Sequence, residues 1–397
     1  MLGAIYTGLS GLNAFSRGLQ TISNNVANLN SPGFKATTAS FGDVFNSGGG
    51  GLTFFRGVDE NQLGNGVKFG PANTDFSQGD LRQSDGDLDL AIQGSGFLVL
   101  LNQDKVLYAR TGQFVVDADG FLSLQGNSEY RLGILDSAGR PVALNVDGRR
   151  TSSPVASTKV VFADNLSSTA TTATVSDVII YDSLGGRQTW QVAFTKDAAN
   201  ANNWNIRVTN QDGTEIGTSV LTFANGQVTP ATQKLTFTNA PAGAALLSVE
   251  FDFSSGVTSF SSGTVSTLRA SSVDGNGVGS LTGVTLNDEG KISLAYSNSE
   301  TEELGSVAIA DFRNPQQLTR IGNGLFENTG KAPTRLLSSN SDGIGRLVSR
   351  QLEASNVDLS QQFGDLILIQ RGFQASSQVI SASNDMIQQL FGIRGQG

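Results

Sequence analysis

The sequence predicts a mainly β protein with α-helical termini. Its N- and C-terminal helices would pair as a coiled coil, and the middle would divide into a discontinuous inner β-domain and an inserted outer β-domain. Three observations lead there. Both ends repeat apolar residues every seven positions, the middle alternates apolar and polar residues, and tight-turn dipeptides punctuate that middle.

At the N-terminus, Leu2, Ile5, Leu9, Leu12, Leu19 and Val26 occupy the a and d positions of a heptad. Phe15, Ile22 and Leu29 widen that stripe by one flanking position. A helix of this kind should end near Asn30, where Ser31-Pro32-Gly33 stops it, after roughly 40 Å. The other end mirrors it: Leu352, Leu359, Leu366, Phe373, Ile380 and Ile387 are each seven apart, with Phe363, Leu390 and Phe391 on neighbouring positions. Asn356 or Asp358 is the expected N-cap, and the helix should run to about Phe391.

Between the helices the period falls to two. Trp190, Val192 and Phe194 alternate with polar residues, as do Trp204, Ile206 and Val208. Turns are expected at Asp119-Gly120, Asp182 to Gly186, Asp212-Gly213, Asn225-Gly226 and Glu289-Gly290. Composition shifts mark a glycine-rich linker at Ser47 to Gly51 and flexible connections at Arg149 to Ser157 and Ala270 to Gly283. The predicted organisation is therefore a terminal helical domain of residues 1–30 and 356–397 and an extended connector of 31–70 and 338–355. The inner β-domain would comprise 71–147 and 284–337, and the outer insert 148–283.

Composition narrows the chemistry. The chain of 397 residues has no Cys and no His, which removes disulfides, thiolate and imidazole catalysis and the commonest transition-metal ligands. A net charge of −9 gives no basic footprint for nucleic acid. No apolar run approaches the ~18 residues of a membrane span, and the N-terminus lacks the basic start and small-residue cleavage site of a secretory signal. Asp85, Asp87 and Asp89 suggest a calcium loop, but Leu90 and Gly96 stand where that loop needs Gly and Glu. Asp117/Asp119 and Asp288/Glu289 fall in turns, where acidic residues serve the backbone. No catalytic residue, cofactor site or metal site is predicted.

The terminal stripes carry a different message. From Met1 to Phe34 the only charged side chain is Arg17, and from Leu359 to Ile393 only Asp365, Arg371 and Asp385 are ionised. A solvated coiled coil would carry Glu and Lys at its flanks. A face of Asn, Gln, Ser and Thr is cheaper to desolvate, so these helices are expected to pack against other copies. Lone helices are marginal, so both ends should fold as the chain polymerises, and contacts between unlike surfaces build an open helical filament. Arg17 should then find a carboxylate, a carbonyl cluster or a wet channel within the assembly.

The segment SGLNAFSRGLQTISNNVANLNSPGFK, Ser10 to Lys35, with Asn24, Asn25, Asn28, Gly33, Phe34 and Lys35 as its motif, resembles the N-terminal signature of the bacterial flagellar rod and hook axial proteins. LEASNVDLSQQFGDLILIQRGFQASSQVISASNDMIQQL, Leu352 to Leu390, is similar to their C-terminal signature, and Asp89 to Leu122 to the segment opening their inner β-domain. VIIYDSLGGRQTWQVAFTK, Val178 to Lys196, resembles the outer domain of the hook branch. The sequence departs from the usual pattern at Ser31-Pro32, where Thr is commoner, and at Phe373, where Tyr is usual. The resemblance implies a non-enzymatic subunit that stacks into a curved, torque-transmitting tube joining rod to filament. It further implies contact with the distal rod protein, a hook-filament junction protein and the hook cap, and delivery outside the cell by the type III export apparatus without a cleaved signal. A distal rod subunit would be the rival if the insert packed within the inner domain, and a secreted glycan-binding or adhesive β-protein if the middle bound a glycan.

Overall fold

The computed structural model describes residues 2–44, 66–103, 105–330, 332–341 and 343–394; the side chains of Leu2, Leu390 and residues 392–394 lie outside that description. The predicted linker Ser47 to Gly51 also lies outside the described residues. The chain forms a mainly β protein with a helix at each end, grouped into two compact units. One comprises Met1–Asp147, Thr285–Ser293 and Glu303–Gly397, the other Gly148–Val284 and Leu294–Glu302.

In the first unit, helix α1 spans Leu2–Ala27 and helix α2 spans Leu359–Arg394. Past α1 the chain turns at Gly33, whose φ of +68° suits a residue without a Cβ. Asp358 caps α2, its carboxylate accepting from the backbone N–H groups of Ser360 at 2.8 Å and Gln361 at 3.1 Å. Asn356 does something else: it accepts from the Ala36 N–H at 2.7 Å and donates to the Asp75 carbonyl at 2.8 Å.

The sheet of this unit is antiparallel throughout its central path. Lys105–Ala109, Phe97–Asn102, Asn127–Leu135, Leu122–Leu124, Thr111–Val116 and Asp89–Gln93 lie side by side in that order. Leu90, Ile92, Leu98 and Leu100 are fully buried, and an aromatic cluster of Phe97, Tyr108, Phe312 and Phe326 fills one region of the core.

Two stretches read as connectors are in fact paired strands. Thr37–Thr38 pairs with Asn73–Thr74 and Phe41–Asp43 with Val67–Phe69, so both described arms of the 31–70 segment are hydrogen-bonded to each other beside α1. Arg346–Ser349 joins the sheet beside Asp89–Gln93, and Gln351–Glu353 pairs with Leu81–Gln83. Rungs of two to four residues carry too little pattern for a period-two reading.

The second unit is organised by the two strands anticipated from their alternation. Arg187–Lys196 and Asn203–Thr209 pair antiparallel near one end of its larger sheet, and Trp190, Val192, Phe194, Trp204, Ile206 and Val208 are all buried. Phe162, Phe251 and Phe253 complete that core. The expected flexible connections are a correction. Thr151–Ser152 pairs with Ser280 and Gly279, and Val155 and Asn276 exchange both backbone hydrogen bonds at 3.0 Å. The Asp274 carboxylate then accepts from Thr158 N–H at 2.8 Å and Lys159 N–H at 2.9 Å. The two stretches thus form one closed stem, because backbone pairing is indifferent to the Gly/Ser content that suggested a linker. Leu294–Glu302, assigned by sequence to the inner domain, groups with this unit: Tyr296 donates its hydroxyl to the Arg149 carbonyl at 2.9 Å, and Asn298 donates to Gly277 O at 2.9 Å.

Candidate assembly interface

The candidate site is the helix pair and its root, not a pocket with catalytic groups. α1 and α2 run antiparallel, and the seam is set by small residues. A Cβ placed on Gly8 would sit 2.8 Å from Ile380 Cγ1, on Gly11 2.5 Å from Ser376 Oγ, on Gly18 2.8 Å from Ile369 Cδ1 and on Gly372 2.5 Å from Phe15 Cζ. Absent side chains at these four positions let the helices approach closely. Positions 8, 11, 15, 18, 22 and 25 of α1 follow a heptad spacing, but one shifted from the predicted stripe.

This corrects the reading of the seam. Among the residues predicted at a and d, Leu9 and Leu19 are exposed on α1, and Leu359, Phe363 and Phe373 are exposed on α2. Ile5, Leu12, Val26, Leu366, Ile380 and Ile387 are half-buried, while Ile22, placed as a flanking residue, is 4% exposed. Leu2 and Leu390 have side chains outside the described residues. Glycines on the inside meet a few large side chains, Ile380, Ile369 and Phe15, and the remaining large apolar residues face outward. Tyr6, Ile367, Leu368, Val379, Met386 and Phe391 add to that outward apolar surface. Arg17 is exposed and donates from Nε to the Asn13 side-chain oxygen at 3.1 Å.

The motif residues gather at the root of the pair. Asn25, 1% exposed, donates to the Gln362 side-chain oxygen at 2.9 Å and the Thr37 carbonyl at 2.8 Å, and accepts from Thr37 N–H at 3.0 Å. It ties α1, α2 and the adjoining strand with one amide. Asn28 donates to the Asn24 carbonyl at 2.8 Å and accepts from the Ser31 hydroxyl at 3.1 Å, which shapes the exit from α1. Gly33 donates to the Glu353 carbonyl at 2.7 Å. The Arg320 guanidinium lies 4.3 Å from the Phe34 ring centroid and donates to the Lys35 carbonyl.

Lys35 is fully buried. Its Nζ donates to the Ser77 carbonyl at 2.6 Å and to Glu353 Oε1 at 2.5 Å. Glu353 accepts at the same oxygen from Gly79 N–H at 2.9 Å and at Oε2 from Arg110 Nε at 3.0 Å. Arg110 donates further to the carbonyls of Ile92 at 3.1 Å, Gly94 at 2.6 Å and Gly96. Burial pushes the Lys35 ammonium below the usual lysine range, against the opposing pull of Glu353. Sequence reasoning missed Glu353 and Arg110, although both lie in segments quoted for their resemblance; nothing in spacing links 35, 110 and 353.

The acidic residues weighed as chemical sites serve the fold. Asp87 pairs with Arg350, Nε to Oδ1 2.7 Å, and Asp89 accepts from Ser84 and Gln113. Asp117 accepts from Phe121 N–H at 2.8 Å across its turn, and Glu289 pairs with Lys291 at 2.7 Å. No described helix is long and apolar enough to cross a membrane.

Comparison with known proteins gives three family matches in chain order. Residues 5–35 match the model described as flagella basal body rod protein, 145–317 the flagellar basal body protein FlaE D2 domain, and 348–393 the flagellar basal body rod FlgEFG protein C-terminal. The chain is 28% identical to flagellar hook protein FlgE of Treponema pallidum, over 99% of this chain and 100% of the relative. It is 28% identical to flagellar hook protein FlgE of Escherichia coli, over 97% and 98%. A solved structure, Helicobacter pylori flagellar hook protein FlgE2, aligns with 16% identity, 69% of this chain, 100% of that chain and a TM-score of 0.48.

Proposed function

The chain belongs to the flagellar rod and hook axial family, and from that premise we infer that it is a structural subunit of the flagellar hook. The observation that carries this is the full-length match to hook proteins, insert included. The D2-type match over 145–317 weighs against the distal rod alternative, and the same end-to-end match weighs against a glycan-binding or adhesive protein.

The finer reading joins the exposed helix faces to what the family resemblance implies about layers, end partners and export. The subunit polymerises with itself through the outward faces of α1 and α2, where Leu9, Leu19, Leu359, Phe363 and Phe373 await partners. Ile5, Leu12, Val26, Leu366 and Ile380 support those faces. The helices make the innermost layer of the tube, with the β-domains stacked outside them. The tube bends and transmits torque by repacking subunit contacts between closely spaced alternatives. Neighbours at its ends are the distal rod protein, the hook cap and a hook-filament junction protein. The type III export apparatus delivers the chain outside the cell unfolded, a route suited to a chain without cysteine, and the protein performs no catalysis.

Charging the outward face tests this reading. Leu19→Glu with Phe373→Glu leaves the glycine seam intact, so the double variant should keep the parent's fluorescence from the buried Trp190 and Trp204 yet form no tubes by negative-stain microscopy where the parent does. Tubes of normal length from the double variant would refute the assigned face.

A further inference from the structure

We propose that the far end of α2 seats in a cleft along α1 of the next copy, with Asp385 of one copy paired to Arg17 of the other. The pairing belongs to the assembled state and rests on the self-assembling subunit inferred above.

The helices carry four charged side chains among the described residues: Arg17 on α1, and Asp365, Arg371 and Asp385 on α2. Their signs balance, yet among the described residues none of the four makes an ion pair within its own chain. Arg17 and Asp385 are both exposed, whereas Asp365 is half-buried in a recess that it lines with Phe15, Ile22 and Thr38. An exposed charge is cheap only while water reaches it, so a layer closed by other copies must bring it a counter-charge.

The lengths of the helices say where that counter-charge comes from. α1 has 26 residues and α2 has 36. In their antiparallel seam Gly18 lies against Ile369, Gly11 against Ser376 and Gly8 against Ile380. Carried on, that register sets Leu2 level with Asp385, so residues 386–394 of α2 run past α1 by roughly 13 Å. Met386 and Phe391, 48% and 71% exposed, lie on this overhang with no α1 residue opposite among the described ones.

The receiving cleft, of about 880 Å³, follows the side of α1 that bears Leu9 and Leu12, continues over Ser16 and Gln20, and has Arg17 as the one charge in its lining. Moving a second copy, in the same orientation, about 22 Å along the helix axis towards the root brings its Asp385 level with Arg17. The same shift sets Phe391 level with Gly11, between Leu9 and Leu12. One displacement thus supplies an ion pair and an apolar contact. Asp385 and Phe391 stand about 120° apart round α2, an arc that a cleft embraces and a flat face does not. Within a single chain Arg17 and Asp385 are separated by that same distance of about 22 Å, so they meet only between copies. The contact joins unlike surfaces and repeats without closing.

Charge reversal in the full-length chain tests the pair, read as the lowest protein concentration that yields tubes. Arg17→Asp and Asp385→Arg should each raise that concentration about fivefold, and the double variant, which restores the pair with its signs exchanged, should return to within about twofold of the parent. Single variants that assemble like the parent, or a double variant worse than either, would overturn the proposal. A covalent test uses the absence of cysteine from the sequence. Arg17→Cys with Asp385→Cys supplies the only thiols, and a short bis-maleimide should join assembled copies into a ladder on denaturing gels, while either single variant stays monomeric. A monomer band alone from the double variant overturns the pairing. Parent tubes on the same grids would then leave the hook reading standing, whereas a parent that never assembles would remove both.

Discussion

Glycine on the inner face of α1 decides which way the helices turn their large side chains. Elsewhere in a helix, replacing glycine by alanine gains about 1 kcal/mol of propensity. At Gly8 the new methyl would lie 2.8 Å from Ile380 Cγ1 and 3.3 Å from the Ser376 carbonyl oxygen, and overpacking of that kind costs about 1–3 kcal/mol. Gly8→Ala should therefore lower the melting temperature of the helical signal, whereas Gly364→Ala, with nothing within 4 Å of its Cβ, should raise it. Equal shifts in the same direction would mean that the seam is not held by glycine. In the second unit Asp252 sets an acid limit. Burial alone would raise its pKa, but hydrogen bonds from Lys159, 2.7 Å away, and from Ser254 prevail and hold it at about 2, against an ordinary 3.8. The folded form thus releases its proton more readily than the unfolded chain. Its contribution is complete above about pH 4 and is lost as the pH falls towards 2. Allowing for the half-exposed Lys159 side chain, this amounts to about 1–2 kcal/mol. Asp274 adds to it in the same direction. Urea unfolding followed by the fluorescence of Trp190 and Trp204, both in this unit, should weaken between pH 4 and 2.5, and Asp252→Asn should flatten that dependence.

Elements were readable from sequence where a side-chain period persists, and unreadable where the backbone or distant residues do the work. Trp190, Val192 and Phe194 are buried on one face of Arg187–Lys196 as their alternation required, and Asp358 caps α2 as expected. The phase of the helical seam escaped because a heptad count weighs apolar bulk, whereas Gly8, Gly11, Gly18 and Gly372 contribute close approach and no bulk. Phe15 and Ile22 belong to that seam, yet looked like its margin. The paired arms of Thr37–Thr38 and Phe41–Asp43 are too short to show any period. Glu353 and Arg110 carry no sequence signal of their own, since only the fold brings them to Lys35. The motif asparagines were identified by resemblance alone, and their physical reason, illustrated by Asn25 satisfying three hydrogen bonds in the interior, emerges only from the packing.

At the scale of the whole molecule, the closed stem makes the second unit separable in a way that loose linkers would not. Val155 and Asn276 exchange both backbone hydrogen bonds, the arrangement that can close a two-residue hairpin. Deleting residues 156–275 and joining Val155 to Asn276 through an Asn-Gly turn should therefore leave the stem pairs Thr151 with Ser280 and Ser152 with Gly279 intact. The helices, their glycine seam and the buried cluster at Lys35 lie wholly in the first unit. The shortened chain is expected to keep its helical circular dichroism and still form tubes, since the outward apolar face of α1 and α2 is retained. Tube width by electron microscopy should fall, because the deleted residues belong to the β-structure stacked outside the helices. A folded, shortened chain that stays monomeric would show that the second unit supplies contacts the helices cannot. Polymerisation would then have to be assigned to both units rather than to the terminal helices.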